Sequence, residues 1–392
     1  MDIRKIAVLP IVLLMLMTPI AFAAVANTNT DAQASSGGSA TASSDATAEN
    51  SGTANADSHA LGTEGGDAES YSLAIAADGG NADATTYSTA TNDGDATSVA
   101  ASLAVGTGAK ATSEADTNAN GAGAEANAGA MSVAVGKNAN AEANAEADAN
   151  CNDDCVANAG AGAMAIGKNA DAEANSDAIA KDSDSSATAL SMAWALDEGA
   201  KADANAQSLA TNGGTAEALS WAEAYDEYGT ADSATVARAN GNAYASSTVM
   251  TVAGEDSIAQ AYMNTNADAT HSAEAVAIGV MTASADPSGG QTNAWVLKMA
   301  ATNSAKASAT AQVNAISYTN AGGTPAAGIV IIGADVFATG YHSLAIETID
   351  ADARSSHHSP DYVNIVVNDY VQGIGHAAAD VSAWANHLYA MP

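Results

Sequence analysis

The chain has 392 residues, and alanine supplies most of its 47% hydrophobic content, with only two phenylalanines. Because a thick globular core needs large apolar side chains, this composition excludes conventional globular domains and favours a thin core repeated along an axis. Eleven basic and 45 acidic residues give a formal charge of −34, which repels phosphate groups and argues against a nucleic-acid partner.

The N-terminus has the features of a secretory signal peptide. Arg4 and Lys5 precede an apolar run that ends at Ala21-Phe22-Ala23, a match to the small-x-small cleavage pattern. A retained membrane anchor is the alternative, but the apolar run is short and the cleavage pattern is present. We therefore expect residues 1–23 to be removed and the mature chain to be secreted to the extracellular cell surface, not integral to a membrane.

Residues 24–68 form a low-complexity leader of Ser, Thr, Ala, Gly, Asp and Asn. Almost no large apolar side chain is available there to offset the entropy cost of ordering the backbone. The composition predicts a flexible segment. The alternative is that these residues form further coils of the repeat that follows.

Residues 69–320 carry an internal repeat. Five apolar triplets, each with a central alanine, begin at intervals of about 30 residues, a period that is typical of stacked repeat architectures. We expect the large members of the triplets to lie in the core of the repeat and to thicken it at intervals. They are Leu73, Ile75, Leu103, Val105, Val133, Val135, Met164, Ile166, Met192 and Trp194.

Between the triplets, alanine alternates with polar residues, as it does from Ala139 to Ala149. A period of two places every alanine on one face of a strand, whereas it would spread alanine around all sides of a helix. Weaker alternating segments lie halfway between triplets and divide the repeat into coils of about 15 residues, each with two short strands and two turns. The predicted fold is an all-β solenoid, or β-roll, whose alanine-lined sheets lie closer than the usual ~10 Å.

Five aromatic residues lie where the repeat becomes irregular. They predict either wider or capped coils filled by aromatic rings, or a lateral contact surface. These residues are Trp194, Trp221, Tyr225, Tyr228 and Tyr244.

Residues 321–392 depart from the repeat. Two compact apolar segments, Gly328–Gly333 and Tyr362–Val367, predict strands, and Ile329–Ile332 within the first is also the most aggregation-prone segment of the chain. We interpret this region as a non-repetitive C-terminal β cap or assembly element.

The two cysteines, Cys151 and Cys155, are separated by three residues. Export makes a disulfide between them the favoured interpretation. Free thiols and metal ligands are the alternatives, although two cysteines do not complete a structural zinc site and no histidine lies near them in the sequence.

No motif indicates an enzyme or a bound cofactor. His357 and His358, followed by Asp361, are compatible with a metal site, but a solvated loop is the simpler interpretation. Pairs of acidic residues offer oxygen ligands suited to calcium, without completing a known calcium-binding pattern, and are compatible with diffuse calcium binding. These pairs are Asp93/Asp95, Asp153/Asp154 and Asp182/Asp184.

The segments Ser132–Ala139 (SVAVGKNA) and Ala163–Ala170 (AMAIGKNA) resemble the head repeats of trimeric autotransporter adhesins. That resemblance implies a β-roll that binds host matrix or other cells. The layout of the mature chain is also similar to that of the sheath proteins of filamentous methanogenic archaea. Those are exported, acidic, alanine-rich chains that polymerise into amyloid-like tubes around the cells.

The expected function is therefore that of a secreted structural protein of the cell envelope. It would self-assemble through β-edges into a sheath, layer or fibre, with other copies of itself as partners. An adhesin head is the alternative, and an enzyme is not expected.

Overall fold

The computed structural model describes residues 23–388 except for short gaps, so the predicted signal peptide lies outside the described residues. The gaps fall at residues 36, 152–153, 182–184, 212–213, 226–229, 242, 254–257, 271–273, 286–290, 304–307, 321–326, 339–343, 357–361 and 374–375.

The described residues form 23 strands and no helix. The strands are β1 (Ala23–Ala34), β2 (Ala40–Gly62), β3 (Ala68–Ala76), β4 (Asn81–Thr91), β5 (Ala96–Val105), β6 (Lys110–Asn120), β7 (Glu125–Val135), β8 (Asn140–Asn150), β9 (Val156–Ile166), β10 (Asp171–Lys181), β11 (Ser186–Leu196), β12 (Lys201–Ala210), β13 (Thr215–Tyr225), β14 (Thr230–Gly241), β15 (Ala243–Ala253), β16 (Ile258–Thr270), β17 (Glu274–Ala285), β18 (Gln291–Asn303), β19 (Ser308–Asn320), β20 (Ala327–Ala338), β21 (Leu344–Ser356), β22 (Tyr362–Gly373) and β23 (His376–Leu388).

From β3 onward, each strand pairs in parallel with the strand two places along the chain. Asp171 on β10, for example, pairs with Lys201 on β12. Odd-numbered and even-numbered strands therefore build two separate stacks, and the chain winds between them as a β-solenoid. The predicted all-β solenoid fold is confirmed.

The predicted division of the repeat into two similar halves is also present, since β6, β7 and β8 begin at Lys110, Glu125 and Asn140. Each half contains one long strand and one turn, rather than the two short strands and two turns that we expected. A strand as long as β8 crosses the whole width of one sheet. One circuit of the solenoid therefore takes two halves, one strand in each sheet.

Alanine fills the space between the two sheets. In β8, the side chains of Ala141, Ala143, Ala147 and Ala149 are fully buried, while the residues between them face outward. The sheets approach so closely that an inward serine hydroxyl reaches the opposite backbone. Ser113 Oγ on β6, for instance, donates to the carbonyl oxygen of Met131 on β7 at 2.7 Å.

Residues 24–68 adopt the second of the two predicted arrangements, as coils of the solenoid. β1 pairs with the second half of β2, and β2 in turn pairs with both β3 and β4. Ala42 and Ala54 on β2 are completely buried. Their small side chains suffice because the core they enter is only one methyl layer thick per sheet.

The parallel pairing continues through the region that we expected to be a C-terminal cap. β20 pairs with β22, and β21 pairs with β23. The circuit lengthens here, since the step from Gln291 to its partner Ala327 is longer than the step from Asp171 to Lys201. The difference from the central repeat is one of coil length and connection length, not of strand pairing.

The central turns stack as regularly as the strands. Gly136 has a φ of +141°, and a Cβ atom there would lie 2.1 Å from the carbonyl oxygen of Gly106 in the preceding coil. Asn138 follows with a φ of +55°, in the left-handed region that asparagine tolerates. Glycine and asparagine at these positions therefore let one turn lie directly on the next.

The close approach of the sheets predicts that an enlarged core residue will destabilise the fold. Ala143→Leu forces a larger side chain into a space that holds a methyl group, and should lower the free energy of unfolding by about 1–3 kcal/mol or more. Gln207→Leu, at an exposed and uncharged position on β12 of the same stack, is the matched control. Denaturant unfolding should separate the two variants; equal stabilities would contradict a closely packed alanine core.

Candidate assembly surfaces

The outward face of the odd-numbered strands β3 to β13 is largely apolar; we call it the apolar face. The ten large triplet residues lie on it, so their predicted place in the core is wrong. Nine of them are partly exposed: Leu73, Ile75, Leu103, Val133, Val135, Met164, Ile166, Met192 and Trp194. The tenth, Val105, is 42% exposed.

The core position of each triplet belongs to its central alanine. Ala74, Ala104, Ala134, Ala165 and Ala193 are all 0% exposed. Since the gap between the sheets is filled almost entirely by Ala, Ser and Thr side chains, the larger neighbours on either side point outward. The period-two pattern and the alanine-lined interior were correct, but at the triplets the inside and outside positions were assigned in reverse.

Parallel registration arranges these outward side chains in continuous columns. One column runs from Ile75 through Leu103 and Val133 to Met164 and Trp194, with one residue from each circuit of the solenoid. Neighbouring strands in a sheet lie about 4.8 Å apart, so each side chain contacts those above and below it. This column is therefore a continuous apolar ridge from β3 to β11.

A recess and a raised patch interrupt the apolar face. On β9, Gly160 and Gly162 face outward, and a Cβ atom at either position would meet nothing within 4 Å. On β13, the same two strand positions hold Leu219, which is 38% exposed, and Trp221. Leu190 and Met192 on β11 lie between the two strands.

The aromatic residues occupy outward positions wherever their side chains are described. Trp194 and Trp221 are on the apolar face, and the Trp221 indole Nε1 donates to the Glu223 carboxylate at 2.7 Å. Tyr244 faces outward at the start of β15. Tyr228 and the side chain of Tyr225 lie outside the described part of the structure. This arrangement favours the lateral-surface interpretation over rings that fill wider coils.

The opposite face, formed by the outward residues of the even-numbered strands β4 to β14, is largely polar and rich in acidic residues; we call it the acidic face. Asp116, Glu146 and Asp177 stack in one column, with one carboxyl group from each circuit of the solenoid. The adjacent column includes a ladder of amides. Asn175 donates to the Asn144 side-chain oxygen at 3.0 Å, and Asn205 donates to that of Asn175 at 2.9 Å.

Burial and mutual repulsion disfavour the ionised form of the stacked carboxyl groups on this face. Partial burial, followed by neighbouring carboxylates, raises the pKa values of Asp116, Glu146 and Asp177. The largest effect is at Asp232, where burial and the nearby Asp203 carboxylate raise the pKa to about 6. Lys201 forms an ion pair with Asp203 and only partly offsets the repulsion.

Cys151 and Cys155 are joined by a disulfide, with their Cα atoms 5.8 Å apart. Both residues are buried. They lie between the end of β8 and the start of β9, so the bond closes a turn of the solenoid. The disulfide is the favoured one of the three interpretations of the cysteine pair.

No group of three or more potential metal ligands comes together within the described residues. His357, His358 and Asp361 lie outside them, as do Asp153, Asp182 and Asp184. In the same described part of the chain, no helix is long and apolar enough to cross a membrane.

No family model, no curated protein and no solved structure matches this chain. Its class is therefore defined by the fold, a two-sheet parallel β-solenoid with one apolar and one acidic face.

The raised pKa of Asp232 predicts a stability that falls as the pH rises. The folded chain binds this proton more tightly than the unfolded chain, so stability is lost between pH ~4, the ordinary pKa, and pH ~6. Such a pKa difference corresponds to ~3 kcal/mol, which solvent screening at a partly exposed carboxyl group reduces to about 1 kcal/mol.

Asp232→Asn should therefore raise the free energy of unfolding at pH 7 by about 1 kcal/mol, because it removes the ionised form. The gain should disappear near pH 4, where the aspartate is protonated. Asp31→Asn, at an exposed position on β1, is the matched control. Denaturant unfolding at both pH values provides the measurement, and a gain at Asp232 that does not depend on pH would argue against this account.

Proposed function

We propose that this chain is a secreted structural protein of the cell envelope that self-assembles through its strand edges into an extracellular sheath, layer or fibre. The observation that carries the proposal is that the strands pair uniformly in parallel and that the terminal strands of the solenoid have open edges. Among the described strands, β22 and β23 each pair along one edge only, and so does β1. Unpaired backbone N–H and C=O groups at such edges are templates for another strand.

The thin core supports assembly for energetic reasons. Burying one methyl group contributes only about 0.8 kcal/mol, so one coil holds its neighbour mainly through backbone hydrogen bonds and many small contacts. In a solenoid, every added interface contributes a further nearest-neighbour term. A second molecule docked end on end would extend the ladder and shield the terminal coils.

The acidic residues control when molecules can approach. A formal charge of −34 keeps separate chains apart at low ionic strength. Salt shortens the Debye length from ~30 Å at 0.01 M to ~8 Å at 0.15 M and weakens this repulsion. Assembly should therefore begin as the ionic strength rises.

The test is to follow the purified chain by light scattering, electron microscopy and fibre diffraction while the salt concentration is raised. We expect ordered filaments or sheets with the spacing of ~4.7–4.8 Å between paired strands. Chains that stay monomeric across all salt and calcium concentrations would rule the proposal out. Saturable binding of such monomers to cells or matrix proteins would favour the adhesin alternative.

An edge variant tests the route of assembly. Asp380 and Val381 are consecutive residues of β23, and consecutive strand residues direct their N–H groups to opposite edges. Replacing both with proline removes one N–H from the open edge and one from the edge paired with β21, so filament growth through β23 should stop. The matched control replaces both with alanine and should still assemble; growth of the proline variant would contradict edge-to-edge assembly.

A further inference from the structure

The apolar face has no partner within the described residues, and its relief points to a specific one. We propose that it pairs with the apolar face of a second copy of this chain, through a two-fold axis that runs along β11. The two solenoid axes then run in opposite directions, while the strands of the two copies run in the same direction. This inference rests on the proposed function, because it supplies a lateral contact between the assembling units.

The main argument is that the face is complementary to itself in shape. The raised patch, Leu219 and Trp221, lies one strand from β11 on one side, and the recess, Gly160 and Gly162, lies one strand from it on the other. Rotation about an axis along β11 exchanges these two strands and preserves position along the strand. Trp221 of each copy therefore lies over Gly162 of the other, and Leu219 lies over Gly160.

The remaining residues match under the same rotation. Each of the β11 residues Leu190, Met192 and Trp194 meets its own counterpart at the axis. One strand further out, Met131 on β7 faces Met250 on β15, because these two strands lie at equal distances from β11. Most of the facing positions are apolar; the exceptions are Glu223, which lies over Met164, and Thr248, which lies over Gly129.

The area is sufficient for a stable pair. Five strands, β7 to β15, at about 4.8 Å spacing span ~24 Å, and four outward positions at about 6.6 Å intervals span ~26 Å. The footprint is thus ~600 Å² per copy, or ~1,200 Å² in total, which clears the ~1,000 Å² expected of a biological interface.

Charge favours a second copy over an anionic lipid surface. Pairing through the apolar faces leaves both acidic faces outward, at the greatest separation that two molecules in contact can have. The described residues of the apolar columns contain no lysine or arginine that would attract phosphate headgroups. Glu223, the carboxylate that lies in these columns on β13, accepts the hydrogen bond from Trp221.

The first experiment is cross-linking at the two-fold axis. In the Met192→Cys variant, the two introduced thiols lie opposite each other, so a short thiol-to-thiol bismaleimide should give a covalent dimer. Leu103→Cys on β5 is the control on the same face, because its thiol would lie ~29 Å from its counterpart, six strand spacings away. Cross-linking of both variants, or of neither, would overturn the proposed pairing.

The second experiment exchanges the raised patch and the recess. Gly162→Leu fills the recess at a position where a Cβ atom has nothing within 4 Å, and should weaken dimerisation about 30-fold, as should Trp221→Ala. Gly162→Leu combined with Trp221→Gly should recover much of the loss. Gln207→Leu adds the same side chain to the acidic face and should change nothing. Sedimentation velocity in salt measures each outcome, and a double variant as weak as the single ones would contradict the inference.

These experiments also separate the inference from the proposed function. Filaments that form normally from Gly162→Leu chains would leave edge assembly standing and remove the lateral pair. Discrete dimers that never elongate would support the pair and remove edge assembly.

Discussion

The fold depends on the narrow gap between its two sheets. At Ser113, only a hydroxymethyl group and one hydrogen bond separate the two backbones, and elsewhere alanine methyls fill the same space. Once the gap has this width, every inward position must be Ala, Ser, Thr or another small residue. All larger side chains must then face outward, whether they are apolar or charged.

This constraint explains why a protein with so few large apolar residues shows so many of them on its surface. In an ordinary domain, residues such as Val105 or Trp194 would be used to build the core. Here the core cannot accept them, so they are concentrated on one face, while carboxylates and amides are concentrated on the other. The strict register of the strands then lines up equivalent side chains from coil to coil, as columns of apolar, acidic or amide groups.

The alternating pattern was enough to predict the solenoid, because a period of two has one structural meaning when it persists over many strands. It also placed the alternating alanines on the inner face, but it did not reveal that alanine keeps the inward position at the triplets too. Hydrophobicity suggests that Leu73 and Ile75 are inside and treats Ala74 as a spacer, whereas side-chain volume decides the opposite. The uninterrupted alanine series of β8 was the available signal, since there no large residue competes for the core.

The relief of the apolar face was harder to predict. Gly160 and Gly162 are separated in sequence from Leu219 and Trp221 by two circuits, and only the register of β9, β11 and β13 shows that they lie symmetrically about one strand. Residues 24–68 illustrate a related difficulty. Their composition is that of a disordered segment, yet it also meets the size requirement of this core.

The separation of strand and turn also determines how such a chain can change length over evolution. An insertion of one residue within a strand would exchange its two faces and place Asn or Glu where the core holds only small side chains. The turns, in contrast, absorb such changes. The successive circuits that join Ile75 to Leu103, Leu103 to Val133 and Val133 to Met164 differ in length, yet they keep the same faces aligned. Duplication or loss of a whole circuit would preserve both faces, so gene copies that differ in the number of repeats would encode longer or shorter versions of the same surface.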